Sequence, residues 1–183
     1  VFEGFKYLSE GFAGCANMTS IPNESIPAAD GGCSSLQNIF SQCSGLTGSI
    51  PEGLFRNHPN VSGWGFNGTF TNCSGLTGSI PSDLFETQPL VTDRGFSNTF
   101  LGCSGLTGSI PSGLFDKQTQ VSTLAFSQTF MGCTGLTGSI PSGLFDNNTL
   151  AEDFTNTFLG CSGLTGSIPS GLFDNNTQVT TFG

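Results

Sequence analysis

The sequence predicts an α/β solenoid. The expected form is a right-handed superhelix of about six coils of 28–30 residues, with a parallel β-sheet on one face and short helical turns on the other. Three observations carry this expectation. The segment CSGLTGSIPSGLF runs from Cys103 to Phe115 and again from Cys161 to Phe173, with near-copies beginning at Cys43, Cys73 and Cys133. The successive cysteines lie 30, 30, 30 and 28 residues apart, a period of stacked units rather than of independent domains. Within each unit the apolar spacing changes from alternation to an i, i+4, i+7 pattern.

A unit of this size is too small to bury a core alone, so stacking must build one continuous core. Residues 1–42 read as a degenerate N-terminal repeat and residues 43–183 as the regular repeats of one continuous domain. In the coil from Cys103, Leu106 to Ile110 alternates inward and outward, the pattern of a strand. Pro111 ends it, because proline cannot donate to a ladder. Ser112 to Phe115 turns the chain, and Asp116 to Thr119 is a polar loop. Phe126, Phe130 and Cys133 then share one face of a short predicted helix. Strands stacked at roughly 4.8 Å per coil would be backed by columns of phenylalanine, one of them Phe55, Phe85, Phe115, Phe145 and Phe173. In the first segment, YLSEGFAGC (Tyr7 to Cys15) matches the approach to later cysteines, and ANMTSIP is a shortened SGLTGSIP with Met18 in the leucine slot.

Thirteen acidic residues against four basic ones give a formal charge of -9. That argues against nucleic acid and against an anionic membrane surface as partners. No run of about 20 apolar residues could span a bilayer, so no membrane insertion is expected. With 9% of residues charged, solubility must rest on Ser, Thr, Asn and Gln or on attached sugar. The chain begins at Val1 rather than Met, which reads as a processed product or a fragment. Cys43, Cys73, Cys103, Cys133 and Cys161 hold one position per coil, Cys15 precedes them in register, and Cys33 sits in a valine slot. The ladder reads as small buried thiols, with disulfides between neighbouring rungs as the alternative.

The order F-x-x-C-x-x-L, short strand, F, then V-T and another F-x-x-C resembles the BspA-like leucine-rich repeats of bacterial and protist surface proteins, from about Phe12 to Phe182. The L-T-G-S-I-P piece is also similar to the L-x-G-x-I-P segment of plant-type leucine-rich repeats, but their L-x-x-L-x-L-x-x-N block is missing. The resemblance implies a curved leucine-rich-repeat solenoid working outside the cell or at its surface in adhesion or recognition. It implies no catalytic residue.

Catalysis is not expected, since no nucleophile elbow or phosphate loop is present and the single histidine, His58, reads as a solvated loop residue. No cofactor is expected. An acidic file of Glu86, Asp116, Asp146 and Asp174 beside Asn147, Asn148, Asn175 and Asn176 suits either calcium or ordinary turn chemistry. The outward sheet positions are Thr47, Thr77, Thr107, Thr137 and Thr165, with Ser49, Ser79, Ser109, Ser139 and Ser167. Two hydroxyl columns on an uncharged sheet could bind ice or a polysaccharide or pair with another copy; equally, they could simply solvate the face. Acceptor sequons for N-glycosylation stand at Asn17, Asn23, Asn60, Asn67, Asn72, Asn147 and Asn175. Occupied sequons would place the chain outside a eukaryotic cell.

Terminal repeats usually carry polar caps, and this sequence keeps its consensus to the end. Leu164, Ile168, Leu172, Phe173, Val179 and Phe182 are expected to form an exposed apolar end, meeting Phe2, Phe5, Tyr7, Leu8 and Phe12 of a second copy. Such a head-to-tail contact is heterologous and generates a filament. The expected function is therefore a non-enzymatic, glycosylated extracellular scaffold that self-associates. Truncation from a longer chain is the competing account of the bare end. The rival function is a cell-surface adhesin binding glycan or protein through the Thr/Ser face and the variable loop residues Arg56, His58, Trp64, Arg94 and Lys117.

Overall fold

A computed structural model describes residues 8–23, 25–28 and 32–183. Phe2, Phe5 and Tyr7 lie outside the described residues. The repeats do stack, but their coils are built of turns. Among the described residues there is no helix, and pairing between coils gives isolated parallel bridges such as Gly48–Leu76 and Gly138–Leu164, with strand content of 5%. The α/β solenoid with a parallel sheet and helical turns is thus overturned, and the leucine-rich-repeat architecture goes with it.

The expected strand fails at its glycine. Gly48, Gly78, Gly108, Gly138 and Gly166 all take φ between 73° and 82°, the left-handed region, in the middle of L-T-G-S-I. Inward Leu106 and Ile110 and outward Thr107 and Ser109 survive, but extended pairing does not. One bond crosses here per coil: Thr107 N–H to Gly78 O, Thr137 N–H to Gly108 O and Thr165 N–H to Gly138 O, each 2.8 Å.

The expected helix is a succession of four-residue turns. Thr129 N–H bonds Phe126 O at 3.2 Å and Cys133 N–H bonds Phe130 O at 3.0 Å. The third residue of each turn, Gln128 and Gly132, has φ of 58° and 76°, as a type II turn requires. Donors between these turns cross to the next coil: Gln128 N–H to Thr155 O, Phe130 N–H to Thr157 O and Gly132 N–H to Leu159 O, at 2.8–2.9 Å. A four-residue turn cycle places Phe126, Phe130 and Cys133 on one buried face just as a helix would. The apolar spacing cannot tell the two apart.

The core is a bundle of phenylalanine columns. Phe12, Phe40, Phe70, Phe100, Phe130 and Phe158 stack with centroids 5.5–5.7 Å apart. A second column begins at Phe66 and ends at Phe182, and the column from Phe55 to Phe173 interlocks with it through tilted contacts near 4.8 Å, as at Phe96–Phe115 and Phe126–Phe145. Tilted and offset rings avoid face-to-face repulsion of their quadrupoles.

Three files of polar side chains bind the coils from inside. Each ladder thiol from Cys43 onward donates to the phenylalanine carbonyl of the coil before it, as Cys103 Sγ does to Phe70 O at 3.0 Å. Thr99, Thr129 and Thr157 hydroxyls lie between the carbonyls of their own and the preceding coil, at 2.7–3.0 Å. The third file is His58, Gln88, Gln118, Asn148 and Asn176, all buried. Asn148 Nδ2 donates to Phe115 O at 3.0 Å and Gln118 O at 2.9 Å, and Asn176 repeats this one coil on.

His58 heads that file and corrects the reading of it as a solvated loop residue. It is 0% exposed; its Nδ1 accepts the Cys33 N–H at 2.9 Å, and its Nε2 lies 3.1 Å from Ile26 O. Accepting at Nδ1 fixes the neutral tautomer with Nε2–H donating. Burial holds its pKa below the usual 6.5, against the opposing pull of the Ile26 carbonyl. Stability from this group is therefore full above the ordinary histidine range, falls as pH drops below about 6.5, and levels off below the lowered folded value, with a slope of at most about 1.4 kcal/mol per pH unit for one proton. We expect His58→Gln to remove the loss between pH 6.5 and 5.5. Urea titrations at both pH values check it; equal slopes in the two proteins would refute the assignment.

Candidate functional site

Outside the ends, the structure offers little chemistry. The ladder cysteines are free thiols, with no disulfide between rungs. Burial pushes Cys73 and Cys133 up to about 12, Cys161 up to about 11, and Cys103 well above the ordinary value. A thiol held so far from ionisation is a poor nucleophile and a poor metal ligand. Glu86, Asp116, Asp146 and Asp174 are exposed, and no three His, Cys, Asp or Glu side chains cluster as a metal ion would need among the described residues. Each of the three aspartates closes a turn, as Asp116 N–H does on Gly113 O at 3.2 Å. Asn148 and Asn176 have left that file for the core.

The hydroxyl columns Thr47, Thr77, Thr107, Thr137 and Thr165, with Ser49, Ser79, Ser109, Ser139 and Ser167, are all exposed. They stand on a ribbon with a left-handed glycine between each Thr and Ser, so the parallel sheet expected beneath them is missing. Of the variable loop residues, Arg56 and Lys117 are exposed and His58 is not. Trp64 is 48% exposed, and the Arg94 guanidinium lies 5.1 Å from its ring centre, a cation–π pair on the flank of the stack.

Six of the seven sequons are exposed: Asn17, Asn23, Asn60, Asn72, Asn147 and Asn175. Asn67 is half-buried within the turn face. Asn147 and Asn175 occupy the same register, each one residue before a buried member of the carboxamide file, where a sugar would clear the core.

The ends show what the middle hides. In the coils from Cys43, Cys73 and Cys103 the isoleucine slot is closed, with Ile50, Ile80 and Ile110 each 2% exposed; Ile140 in the next coil is half-buried, and Ile168 in the last is 75% exposed. Phe182 is 52% and Leu159 53% exposed, and Leu164, Phe173 and Val179 are half-buried where inner counterparts are sealed. Phe154, Phe158, Phe173 and Phe182 help line an open apolar concavity of about 230 Å³ on this face. Leu172 does not belong to the bare end as expected, being 2% exposed beneath its own coil. At the other end Phe12 is half-buried, and Leu8, expected to be bare, is 8% exposed. Sequence reasoning missed Leu159 and the exposed thiol Cys15, both legible as ladder neighbours in the terminal coils.

Compared with protein-family models and with curated proteins, the chain matches none. Among the described residues no helix is long and apolar enough to cross a membrane.

Proposed function

We propose that this chain is a non-enzymatic extracellular scaffold whose copies associate end to end into a filament, with N-linked glycans on the exposed sequons. The observation that carries the reading is the C-terminal face, where the repeat's interior columns meet solvent. Covering Ile168, Phe182 and Leu159 releases water from apolar surface, at about 25 cal/mol per Å² buried. The opposite end offers the foot of one of these columns, Phe12 of the Phe12–Phe158 stack. A contact between unlike ends leaves a free end after every addition, so it grows in one dimension. Glycans at Asn147 and Asn175 would keep a chain with few charges soluble and discourage growth sideways.

Sedimentation across a wide concentration range tests this. We expect polymers that lengthen with concentration and shorten on dilution, and an intact mass from the native source that falls when N-linked sugar is removed. A strictly monomeric protein at high concentration would end the filament reading. An unchanged mass would end the glycan one.

One observation favours a second reading, a surface adhesin binding glycan or protein. The exposed Trp64 with Arg94 over its ring is an arrangement suited to a sugar face or a planar group. Binding that disappears in Trp64→Ala from a monomeric protein would support it.

A further inference from the structure

A polar groove crosses the first three coils on the Thr/Ser ribbon. We propose that it is a saccharide site, taking one or two neutral pyranose rings beside the Glu52 carboxylate and the Arg56 guanidinium. The inference rests on the adhesin reading and gives it a site at residues other than Trp64 and Arg94. It does not depend on end-to-end growth.

The sequence marks the place. Aligned on their ladder cysteines, the five copies of CSGLTGSIPSGLFD differ at five positions: Glu52, Arg56, Asp83, Glu86 and Thr134. Glu86 and Thr134 keep the character of the aspartate and serine they replace. The other three change the charge, and the fold gathers them. Glu52 and Arg56 line the groove. Asp83 holds the turn that carries them, its Oδ1 accepting the Gly53 N–H at 3.1 Å.

The groove has a volume of about 590 Å³ and runs from Asn23 past Ser49 and Glu52 to Ser79. Two coil spacings make it about 10 Å long, room for two linked rings. Its floor is apolar, for Pro51 and Pro81 are buried here whereas Pro111 and Pro141 of later coils are half-buried. Ser49 and Ser79 add one exposed hydroxyl per coil. Arg56 is set in place by its neighbour. Gly53 has φ of 58° and no side chain, so the guanidinium folds back over it and Nε donates to Gly53 O at 3.3 Å. A Cβ at Gly53 would overlap the guanidinium. The two terminal nitrogens of Arg56 and both oxygens of Glu52 have no partner among the described residues.

A pyranose answers this lining group by group. Its C–H face suits proline rings, its hydroxyls donate to a carboxylate, and its oxygens accept from a guanidinium. An anionic ligand would be opposed by Glu52 and a cationic one by Arg56. An apolar ligand would strip water from both charges and return no bond. Asn23 lines the groove and is also an acceptor sequon, so the sugar has two sources: the chain's own Asn23 glycan, or a glycan of another molecule.

The full chain and its Asn23→Gln variant separate the sources. Neutral trisaccharides of glucose, mannose, galactose and N-acetylglucosamine are titrated into each, with binding read by calorimetry and saturation-transfer NMR. We expect the Asn23→Gln chain to bind at least one of them, with affinity changing less than about twofold between about 50 and 500 mM salt. Arg56→Gln and Glu52→Gln, at exposed positions where melting should not change, should each weaken that binding about tenfold. Asp146→Asn, two coils and more away on the same file, should leave it unchanged. Equal binding by the full chain assigns the groove to a glycan of another molecule. Binding only after Asn23→Gln, with N-glycosidase releasing the Asn23 glycan of the full chain more slowly than that at Asn147, assigns it to the chain's own. Binding that survives Arg56→Gln and Glu52→Gln but is lost in Trp64→Ala would overturn the groove and leave the adhesin reading standing. A trisaccharide of galacturonic acid that binds more tightly than the neutral ones, and weakens steeply with salt, would overturn the neutral ligand. No binding of any of these sugars by either chain would overturn the groove and the glycan half of the adhesin reading together.

Discussion

Phe115→Ala should destabilise the fold by about 3–5 kcal/mol, the range for deleting a fully buried aromatic ring from a core that cannot collapse around the hole. Phe115 is 0% exposed. It stacks on Phe85 at 6.0 Å and Phe145 at 6.1 Å, and meets Phe96, Phe126 and Phe130 at 4.8, 4.9 and 6.2 Å. Five rings from three neighbouring coils lose a partner at once. Because each coil touches only its neighbours, the cavity also weakens the coupling between the two halves of the stack. Urea unfolding should show a lower midpoint, with unfolding no longer a single coincident transition by fluorescence and circular dichroism. Phe182→Ala, at a ring 52% exposed, should cost less than about 1 kcal/mol. Equal losses at the two sites would contradict the column account.

Gly105→Ala should cost about 3 kcal/mol, at the upper end of overpacking, though it adds one methyl group. A Cβ there would lie 2.5 Å from Leu76 O and 2.7 Å from Ser74 O, both backbone atoms of the preceding coil. Neither can swing aside as a side chain would. The same closeness recurs at Gly75, Gly135 and Gly163, where the leucine carbonyl of the coil before would be 2.4–2.5 Å away. The glycine two residues after each ladder cysteine from Cys43 onward is what lets successive coils approach closely enough for the thiol bond and the backbone bond beside it. Gly113→Ala is the contrasting substitution. Its Cβ would meet the end of the Asp116 side chain at 3.1 Å, which is free to turn, so stability should change by less than about 0.5 kcal/mol. Thermal melts of the two variants decide the matter, and a harmless Gly105→Ala would mean that the coils are not held this closely.

What could be read from the sequence was the period, the stacking and the identity of the core. The phenylalanine columns, the buried ladder thiols and the outward Thr and Ser positions all follow from residue type repeated in register. Local conformation was not legible in the same way, because two geometries serve one apolar pattern. Phe126, Phe130 and Cys133 face inward from a helix or from successive four-residue turns. The discriminating signal lay in residues that tolerate positive φ: Asn98 and Gly102 in one coil, Asn156 and Gly160 in another, standing where a helix would have its interior. The glycine of L-T-G-S-I carried a similar warning against a strand. His58, Gln88, Gln118, Asn148 and Asn176 each follow a ladder cysteine by 15 residues, but sit in polar loops and vary in kind. Read singly they look solvated, and their shared register is what marks them as one buried file. For the ends, the apolar character was legible, but the exact set was not. Which side chains lie bare depends on where the last coil crosses the one before, so Leu172 is covered while Leu159 is not.

The most direct test of end-to-end growth by continuation of the stack is electron microscopy of the assembled protein with its axial repeat measured. Six ladder coils per chain, joined coil to coil by backbone hydrogen bonds that space neighbouring backbones as in a sheet, at roughly 4.8 Å each, give a rise near 29 Å per copy, with coil spacing unbroken across the junction. A filament of one stack's width with that rise and a continuous spacing near 4.8 Å is the expected result. Copies paired side by side, a break in the spacing at each junction, or discrete single particles at high concentration would contradict the account.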